Sequence, residues 1–169
     1  MSHFVKPLAI GLAMASILMA TDASAQSGAP AAPSTINLPY GAPISLADAR
    51  KVAQAAQAEA AANGWLIVTT IVEPNGQVVL TEKMDGTAYS ALDVAGRKAV
   101  TSAHFKRPTL AFYEAVKGGT LNAIFAQAVA IEGGEPIVIG GKIVGALGVS
   151  GGTPVQDGQI ARAGTKAVK

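Results

Sequence analysis

The sequence contains no cysteine among its 169 residues. This absence excludes a disulfide framework, zinc or iron–sulfur sites with cysteine ligands, a covalently attached c-type haem and a cysteine nucleophile. A lipid-modified cysteine cannot tether the chain to a membrane either. The chain therefore has to fold and act without thiol chemistry.

Charged residues are also scarce, at 14% of the chain, and neither sign dominates, with 13 Lys and Arg against 11 Asp and Glu. A nucleic-acid-binding domain normally carries a strongly basic surface, and we therefore expect no nucleic-acid partner. Because few polar side chains are available to cover the domain, we expect part of its apolar surface to be buried between the subunits of a homo-oligomer.

The first 25 residues have the order of a secretory signal peptide. Lys6 precedes an apolar run at 8–19, and the small residues at 23–25 follow it. The run is about a dozen residues long, which is short of the roughly 20 that a membrane-spanning helix needs. We therefore expect cleavage after Ala25, no stable membrane anchor, and a periplasmic or extracellular location for the mature protein.

Residues 26–43 are rich in Pro, Ala, Ser and Gly and show no apolar period, which is typical of a flexible leader. The pattern changes at Ile44, just before the first helix signal. We therefore divide the chain into a signal peptide at 1–25, a flexible leader at 26–43 and one domain at 44–169.

Hydrophobic periods and turn residues predict helices and two hairpins in this domain. Ser45 and Asp48 have the spacing of a helix N-terminal capping pair. Residues 74–76 and 140–141 are turn formers that each separate two runs rich in β-branched residues, as in a hairpin. In chain order the predicted elements are a helix at 46–62, strands at 66–73 and 77–82, helices at 89–105 and 109–117, strands at 137–139 and 142–149, and a helix from 153. Residues 121–131 are ambiguous between helix and strand.

Both faces of the first predicted strand are apolar, and such a strand is normally covered on both sides. The order of helix, hairpin, helices, hairpin and helix therefore predicts an α+β fold, in which an antiparallel sheet has helices on both faces.

Several motifs between Ile44 and the C-terminus resemble those of the GlcG/HbpS-type family, which is also described as a haem-binding or haem-degrading domain. In chain order they are Met84–Gly86, Arg97–Thr109, Gly133–Ile137, Gly141–Gly152 and Gln156–Gly164. The chain departs from the family at Glu73, where many relatives have Asp, and at Gly158, where an acidic residue often follows Asp157. The second departure removes one acid from any metal role at this position.

The resemblance implies a profilin-like α-β-α sandwich with an antiparallel sheet of about five strands, assembled into symmetric oligomers. In secreted members it implies haem binding linked to haem or redox sensing, with a membrane sensor as a candidate partner. Other members occur in glycolate or diol metabolism without a settled activity. The resemblance thus predicts a fold, whereas function depends on the site, and it leaves open whether the chain is an enzyme.

His104 is the only histidine in the mature chain, because His3 lies in the signal peptide. The cations Lys106 and Arg107 follow it, and Tyr113 is near in sequence. A haem needs an iron ligand, an apolar slot and cations for its propionates, and this segment could provide all three. The alternative is a histidine near a helix C-terminus, where the helix dipole favours its charged form.

Thr109 is a second candidate for the haem site. The resemblance implies that the Arg-Pro-Thr region lies close to the haem, where a threonine oxygen can approach the iron. The alternative is that Thr109 is the N-cap of the helix that follows it.

Gly151, Gly152 and Thr153 connect a predicted strand to a predicted helix, so their backbone N–H groups could bind a carboxylate or a phosphate. The alternative is that the two glycines only make a tight turn. Ser150 lies in a G-x-S-x-G sequence, but no histidine follows it in the chain, and we do not predict a hydrolase.

No site for a metal ion other than haem iron is predicted, since the acids are scattered along the chain. Two of them, Glu132 and Glu135, could meet in the fold as a carboxylate pair. The sequence therefore predicts an exported haem-binding protein. Its alternatives are an enzyme or binder for a carboxylated metabolite, anchored at residues 151–153, and a non-catalytic assembly subunit.

Overall fold

The computed structural model describes residues 34–120 and 127–169, together with Met1. The rest of the predicted signal peptide, the first part of the leader and residues 121–126 of the ambiguous stretch lie outside the described residues. The described elements are α1 (Leu46–Ala62), β1 (Val68–Val72), β2 (Val78–Lys83), α2 (Ser90–Phe105), α3 (Leu110–Lys117), β3 (Gly134–Ile139), β4 (Lys142–Ser150) and α4 (Pro154–Thr165). Among these helices, none is long and apolar enough to cross a bilayer.

The strands of the described residues form one antiparallel sheet in the order β2-β1-β4-β3. Both predicted hairpins are confirmed, since β1 pairs with β2 and β3 pairs with β4. Every residue of β1 is buried, as the apolar character of both its faces predicted.

The expectation of a fifth strand is wrong for the described part of the chain, where the sheet has four. Next to β4, Tyr40 makes only an isolated parallel bridge with Ile143. Backbone hydrogen bonds join Ile143 to Pro39 and Gly41 on either side of this bridge. Pro39 and Pro43 have no N–H group with which to continue a ladder, which limits this stretch to a bridge.

Helices cover both faces of the sheet. α1 and α4 pack against one face in a core that includes Val52, Ile71 and Ile160. α2 covers the other face with alanine side chains. Gly148 of β4 permits this close approach, because a Cβ atom at that position would overlap the carbonyl oxygen of Ala95 in α2.

Local signals determine the helix ends. The hydroxyl of Ser45 accepts a hydrogen bond from the N–H of Asp48, which confirms the predicted cap of α1. At the start of α4, Thr153 and Gln156 form a reciprocal capping box. These contacts are made within one turn, so the residues that form them can be read directly from the sequence.

β3 is longer than predicted. It begins at Gly134 rather than at residue 137 and includes Pro136. A proline is tolerated in an edge strand, where one side of the ladder needs no N–H donor, and β3 lies at the edge of the sheet. The extra residues bring Glu135 into the buried part of the fold.

Candidate functional site

A cleft of about 370 Å³ lies along one side of α2, between this helix and residues 127–129. Leu92, Gly96 and Val100 follow one another at intervals of four residues, so they lie in one row along α2. Residues 127–129 form the opposite wall, and an adjoining cleft of about 200 Å³ extends along 128–131. At Gly96 there is open space where a side chain would begin, so a flat molecule could approach the backbone of the helix there.

The opposite wall is attached to α2 by Thr101. The hydroxyl of Thr101 is buried and accepts a hydrogen bond from the N–H of Val129 at 3.0 Å. This contact fixes the distance between the two walls at the inner side of the cleft.

Arg97 lines both clefts. Its guanidinium group is 3.7 Å from the carboxylate of Asp93, one turn earlier, and both side chains are mostly exposed. Exposed pairs of this kind contribute little to stability, so a ligand anion could take the place of Asp93. The sequence did not single out Arg97, because an arginine four residues after an aspartate is an ordinary surface pair on a helix.

His104 continues the row one turn beyond Val100. Its imidazole is exposed, and its Nε2 lies 3.0 Å from the backbone carbonyl oxygen of Asn75 in the β1–β2 turn. A carbonyl only accepts hydrogen bonds, so Nε2 is protonated in this contact, and whenever the ring is neutral its lone pair is on Nδ1. Gly76 makes room for this ring: its φ is +86°, and a Cβ atom there would lie 2.7 Å from Nε2.

The two cations after His104 have different neighbours. The ammonium of Lys106 is 3.0 Å from the carbonyl oxygen of Leu38 and 4.4 Å from the centre of the Tyr40 ring. The guanidinium of Arg107 lies 5.5 Å from the centre of the Phe112 ring. Lys106 therefore contacts the leader, whereas Arg107 contacts α3.

Thr109 is fully buried. Its hydroxyl accepts a hydrogen bond from the N–H of Gly134 at 2.8 Å, and its own N–H donates to the carbonyl of Gly134 at 2.9 Å. Thr109 lies at the N-cap position of α3, as the alternative predicted, and its carbonyl accepts from the N–H groups of Phe112 and Tyr113. Its side chain makes no capping bond, however, and instead holds the first residue of β3. Tyr113, one turn later on α3, is partly exposed.

Three of the predicted haem residues thus contact three different parts of the fold. His104 touches the β1–β2 turn, Lys106 touches the leader, and Thr109 touches β3 at the opposite edge of the sheet from β2. Their roles towards a ligand stay predictions.

A buried ion pair that the sequence did not indicate joins α2 to α4. The ammonium of Lys98 is 2.7 Å from the carboxylate of Asp157, and the two side chains are 1% and 3% exposed. Lys98 also donates to the carbonyl of Val149 at 2.9 Å. Burial lowers the pKa of Lys98 and raises the pKa of Asp157, and the attraction between the two charges opposes both shifts.

A second group of charges lies next to this pair. Arg162 of α4 is 2.8 Å from the carboxylate of Glu132 and 3.6 Å from that of Glu135, so the two acids do meet in the fold. Burial raises the pKa of Glu135 to about 7, with Arg162 acting against the shift and Glu132 adding to it. The Glu132 carboxylate occupies the space where a side chain at Gly158 would lie.

In the turn at residues 151–153, two backbone N–H groups donate hydrogen bonds to side chains of the following helix. The N–H of Gly152 donates to the carboxylate of Asp157 at 2.9 Å, and the N–H of Thr153 donates to the side-chain oxygen of Gln156 at 2.8 Å. Binding of a carboxylate or phosphate from solution at this turn stays a prediction, and the described contacts give it no added support.

Comparisons with known proteins place the chain among haem-related proteins. Residues 44–166 match a family model described as haem degrading protein HbpS-like. An uncharacterized 15.0 kDa protein from the dhaT–dhaS intergenic region of Citrobacter freundii is 35% identical over 125 residues, which are 71% of this chain and 88% of that protein.

Two solved structures have a similar fold. The crystal structure of a double mutant of Streptomyces reticuli HbpS is 28% identical and covers 85% of this chain and 99% of its own, with a TM-score of 0.70. The crystal structure of a PduOC–haem complex is 26% identical and covers 75% of this chain and 96% of its own, also with a TM-score of 0.70. The α+β fold and the family resemblance predicted from the sequence are therefore confirmed.

Replacement of Lys98 tests the buried ion pair. Lys98→Met leaves Asp157 buried without its partner, and we expect the free energy of unfolding to fall by about 3–5 kcal/mol. Lys51→Met is the matched control, because Lys51 pairs with Asp48 at 2.6 Å on the exposed side of α1 and should change stability far less. Urea unfolding measures both, and equal losses in the two variants would contradict the assigned role of Lys98.

Glu135 predicts a dependence of stability on pH. Its pKa is about 7 in the folded protein against 4.5 for the ordinary side chain, so the unfolded chain loses this proton first as pH rises. The contribution of Glu135 to stability is therefore greatest below about pH 4.5 and declines up to about pH 7, by roughly 3 kcal/mol at most. Glu135→Gln should flatten this decline in urea unfolding between about pH 5 and pH 8. An unchanged slope would show that Glu135 does not titrate in this range.

Proposed function

This chain belongs to the HbpS-like family of haem-degrading proteins, and from that membership we propose that it is an exported protein that binds haem in the cleft beside α2. The related PduOC structure is a haem complex, which supports a haem-related function for the shared fold. We choose this site because of one observation. The row of Leu92, Gly96 and Val100 that lines the cleft is followed, one turn later on α2, by His104, the sole histidine of the proposed mature sequence.

The cleft suits a flat apolar ring. Leu92 and Val100 offer apolar side chains on one wall, Ala128 and Val129 offer them on the other, and Gly96 between them has none. A planar ligand gains stability when both of its faces are removed from water, and a wall without a side chain allows one face to lie close to the helix.

His104 is the proposed iron ligand. It lies one turn, about 5–6 Å of helix rise, beyond Val100, and the side chains of Val100 and His104 both lie against Gly76. The neutral ring offers Nδ1 directly, or Nε2 if it leaves the carbonyl of Asn75. A ring whose second nitrogen donates to a backbone carbonyl is a common arrangement for metal-bound histidine.

Arg97 is the proposed partner of a propionate, because it borders the cleft and its pair with Asp93 is long and exposed. Arg107 is the second candidate cation, since its guanidinium contacts the Phe112 ring and donates only a long hydrogen bond, from Nε to the carbonyl of Phe105 at 3.4 Å. We assign Thr109 a supporting role, as its hydroxyl is bound to Gly134 beneath the surface.

Bound haem would supply a redox-active iron, while the protein binds and orients it and limits its contact with water. We propose that this serves haem or redox sensing or haem handling outside the cytoplasm. Assembly of the chain into a homo-oligomer, and a membrane sensor as its partner, belong to the same proposal. Exposed apolar side chains such as Leu66 and Val155 are consistent with assembly.

Hemin titration of the mature chain tests the haem site. We expect a shifted Soret band for the unaltered protein, and a weaker affinity with a different Soret position for His104→Ala, by about tenfold or more since an iron bond is lost. Gly96→Leu should also weaken binding, because the new side chain fills the cleft.

Gly96→Ala is the control for Gly96→Leu, since a single methyl group occupies little of the open space and favours the helix. Absence of any Soret shift in the unaltered protein would reject haem binding. A shift that survives both His104→Ala and Gly96→Leu unchanged would reject the cleft while keeping the ligand.

Export has its own test. When the full chain is expressed in a Gram-negative host, we expect mature protein in the periplasm with Gln26 as its first residue. Ala25→Phe should leave the precursor uncleaved because the cleavage site needs a small residue there, whereas Ser24→Phe, at the tolerant middle position, should not. Uncleaved protein in the cytoplasm of the unaltered strain would contradict export.

A further inference from the structure

Part of the predicted leader, residues 35–41, lies across the C-terminal end of α2; we call it the strap. The hydroxyl of Tyr40 donates to the carbonyl of Ala103 at 2.8 Å and lies 3.1 Å from the carbonyl of His104. The hydroxyl of Thr35 donates to the carbonyl of Lys106, and the ammonium of Lys106 donates to the carbonyl of Leu38 in return. These side-chain contacts all fall within the last turn of α2 and its cap, on both sides of His104.

The end of α2 needs such partners. The last carbonyl groups of a helix have no N–H partner within the helix, and a glycine in the left-handed conformation usually follows to satisfy them. Here the C-cap is Lys106, with φ of 55° and ψ of 36°. Within the described residues it is the only residue other than glycine with a positive φ. The strap supplies donors for carbonyls in this turn and holds Lys106 in its unfavourable conformation.

The strap is itself attached to the sheet. The N–H of Gly41 donates to the carbonyl of Ile143 at 2.8 Å, and the N–H of Ile143 donates to the carbonyl of Pro39 at 2.9 Å. Tyr40 therefore lies between two backbone hydrogen bonds to β4. Its hydroxyl is held against α2 by the framework of the domain.

His104 is consequently held at two points. The Tyr40 hydroxyl contacts its backbone carbonyl, and the Asn75 carbonyl accepts from its ring. These two partners come from the strap and from the β1–β2 turn, which are far apart in sequence. The orientation of the imidazole depends on both contacts. The Tyr40 hydroxyl restrains the backbone of His104, and the Asn75 carbonyl restrains Nε2 at the far side of the ring.

We propose that Tyr40 is a positioning residue that keeps the imidazole of His104, one turn beyond the cleft, in one tautomer and one orientation. The consequence for ligand binding rests on the proposed haem function, whereas the effect on the ring does not. The leader is then a working part of the site, although its sequence is typical of a linker.

Tyr40→Phe tests this role, since it keeps the aromatic ring over Lys106 and removes only the hydroxyl. We expect the ¹⁵N NMR signals of the His104 ring to indicate the Nε2-protonated tautomer in the unaltered protein and to change towards a mixture of tautomers in this variant. Hemin affinity should fall roughly threefold to tenfold, the usual range for one lost hydrogen bond. Thermal unfolding verifies that the variant remains folded.

Tyr89→Phe is the matched control. Tyr89 precedes the opposite end of α2 and its ring also lies near a lysine, 5.3 Å from the ammonium of Lys83, so the same change of a tyrosine should leave the His104 ring and hemin affinity unaltered.

The outcomes separate the two proposals. Unchanged ring signals in Tyr40→Phe would overturn the positioning role, even if hemin affinity falls. Changed ring signals together with no hemin binding in the unaltered protein would support the role of Tyr40 and reject the haem function. A change in both, absent from Tyr89→Phe, would support both.

Discussion

The buried ammonium of Lys98 connects the two helical layers of this fold. It extends from α2, on one face of the sheet, to the carbonyl of Val149 on β4 and to the carboxylate of Asp157 on α4, which packs on the other face. Charges at this depth are tolerated only when each keeps its partners. The helices and the strand therefore have one relative arrangement in which both charges are satisfied. This arrangement also determines the position of the exposed side of α2.

The candidate site depends on this arrangement because α2 carries both Lys98 and the row of residues that lines the cleft. Its inner side carries alanines that meet Gly148 of β4 without an intervening side chain, and its outer side carries the row that ends at His104. The wall opposite that row is attached to α2 by Thr101 and is followed directly by Glu132, which is paired with Arg162 of α4. The shape of the cleft thus depends on buried polar contacts, one of which joins its two walls and one of which anchors the chain just beyond them.

The departure from the family pattern at Gly158 has a structural counterpart. The carboxylate of Glu132, from the segment before β3, lies against Gly158 and pairs with Arg162. A carboxylate is therefore present beside Gly158, although this residue has no side chain of its own.

Features that depend on neighbours within about one helical turn or one hairpin could be predicted from the sequence. The cap at Ser45, the turn at 140–141 and the coverage of both faces of β1 follow from short patterns, and so does the family, whose motifs are contiguous. The start of β3 and the partner of Thr109 depend on long-range packing and are evident only in the folded protein. The same holds for the burial of Lys98, whose carboxylate partner is 59 residues away. The physical reason is that a buried polar group is stable only with a partner, and periodicity along the chain carries no information about a partner that folding brings from a distance.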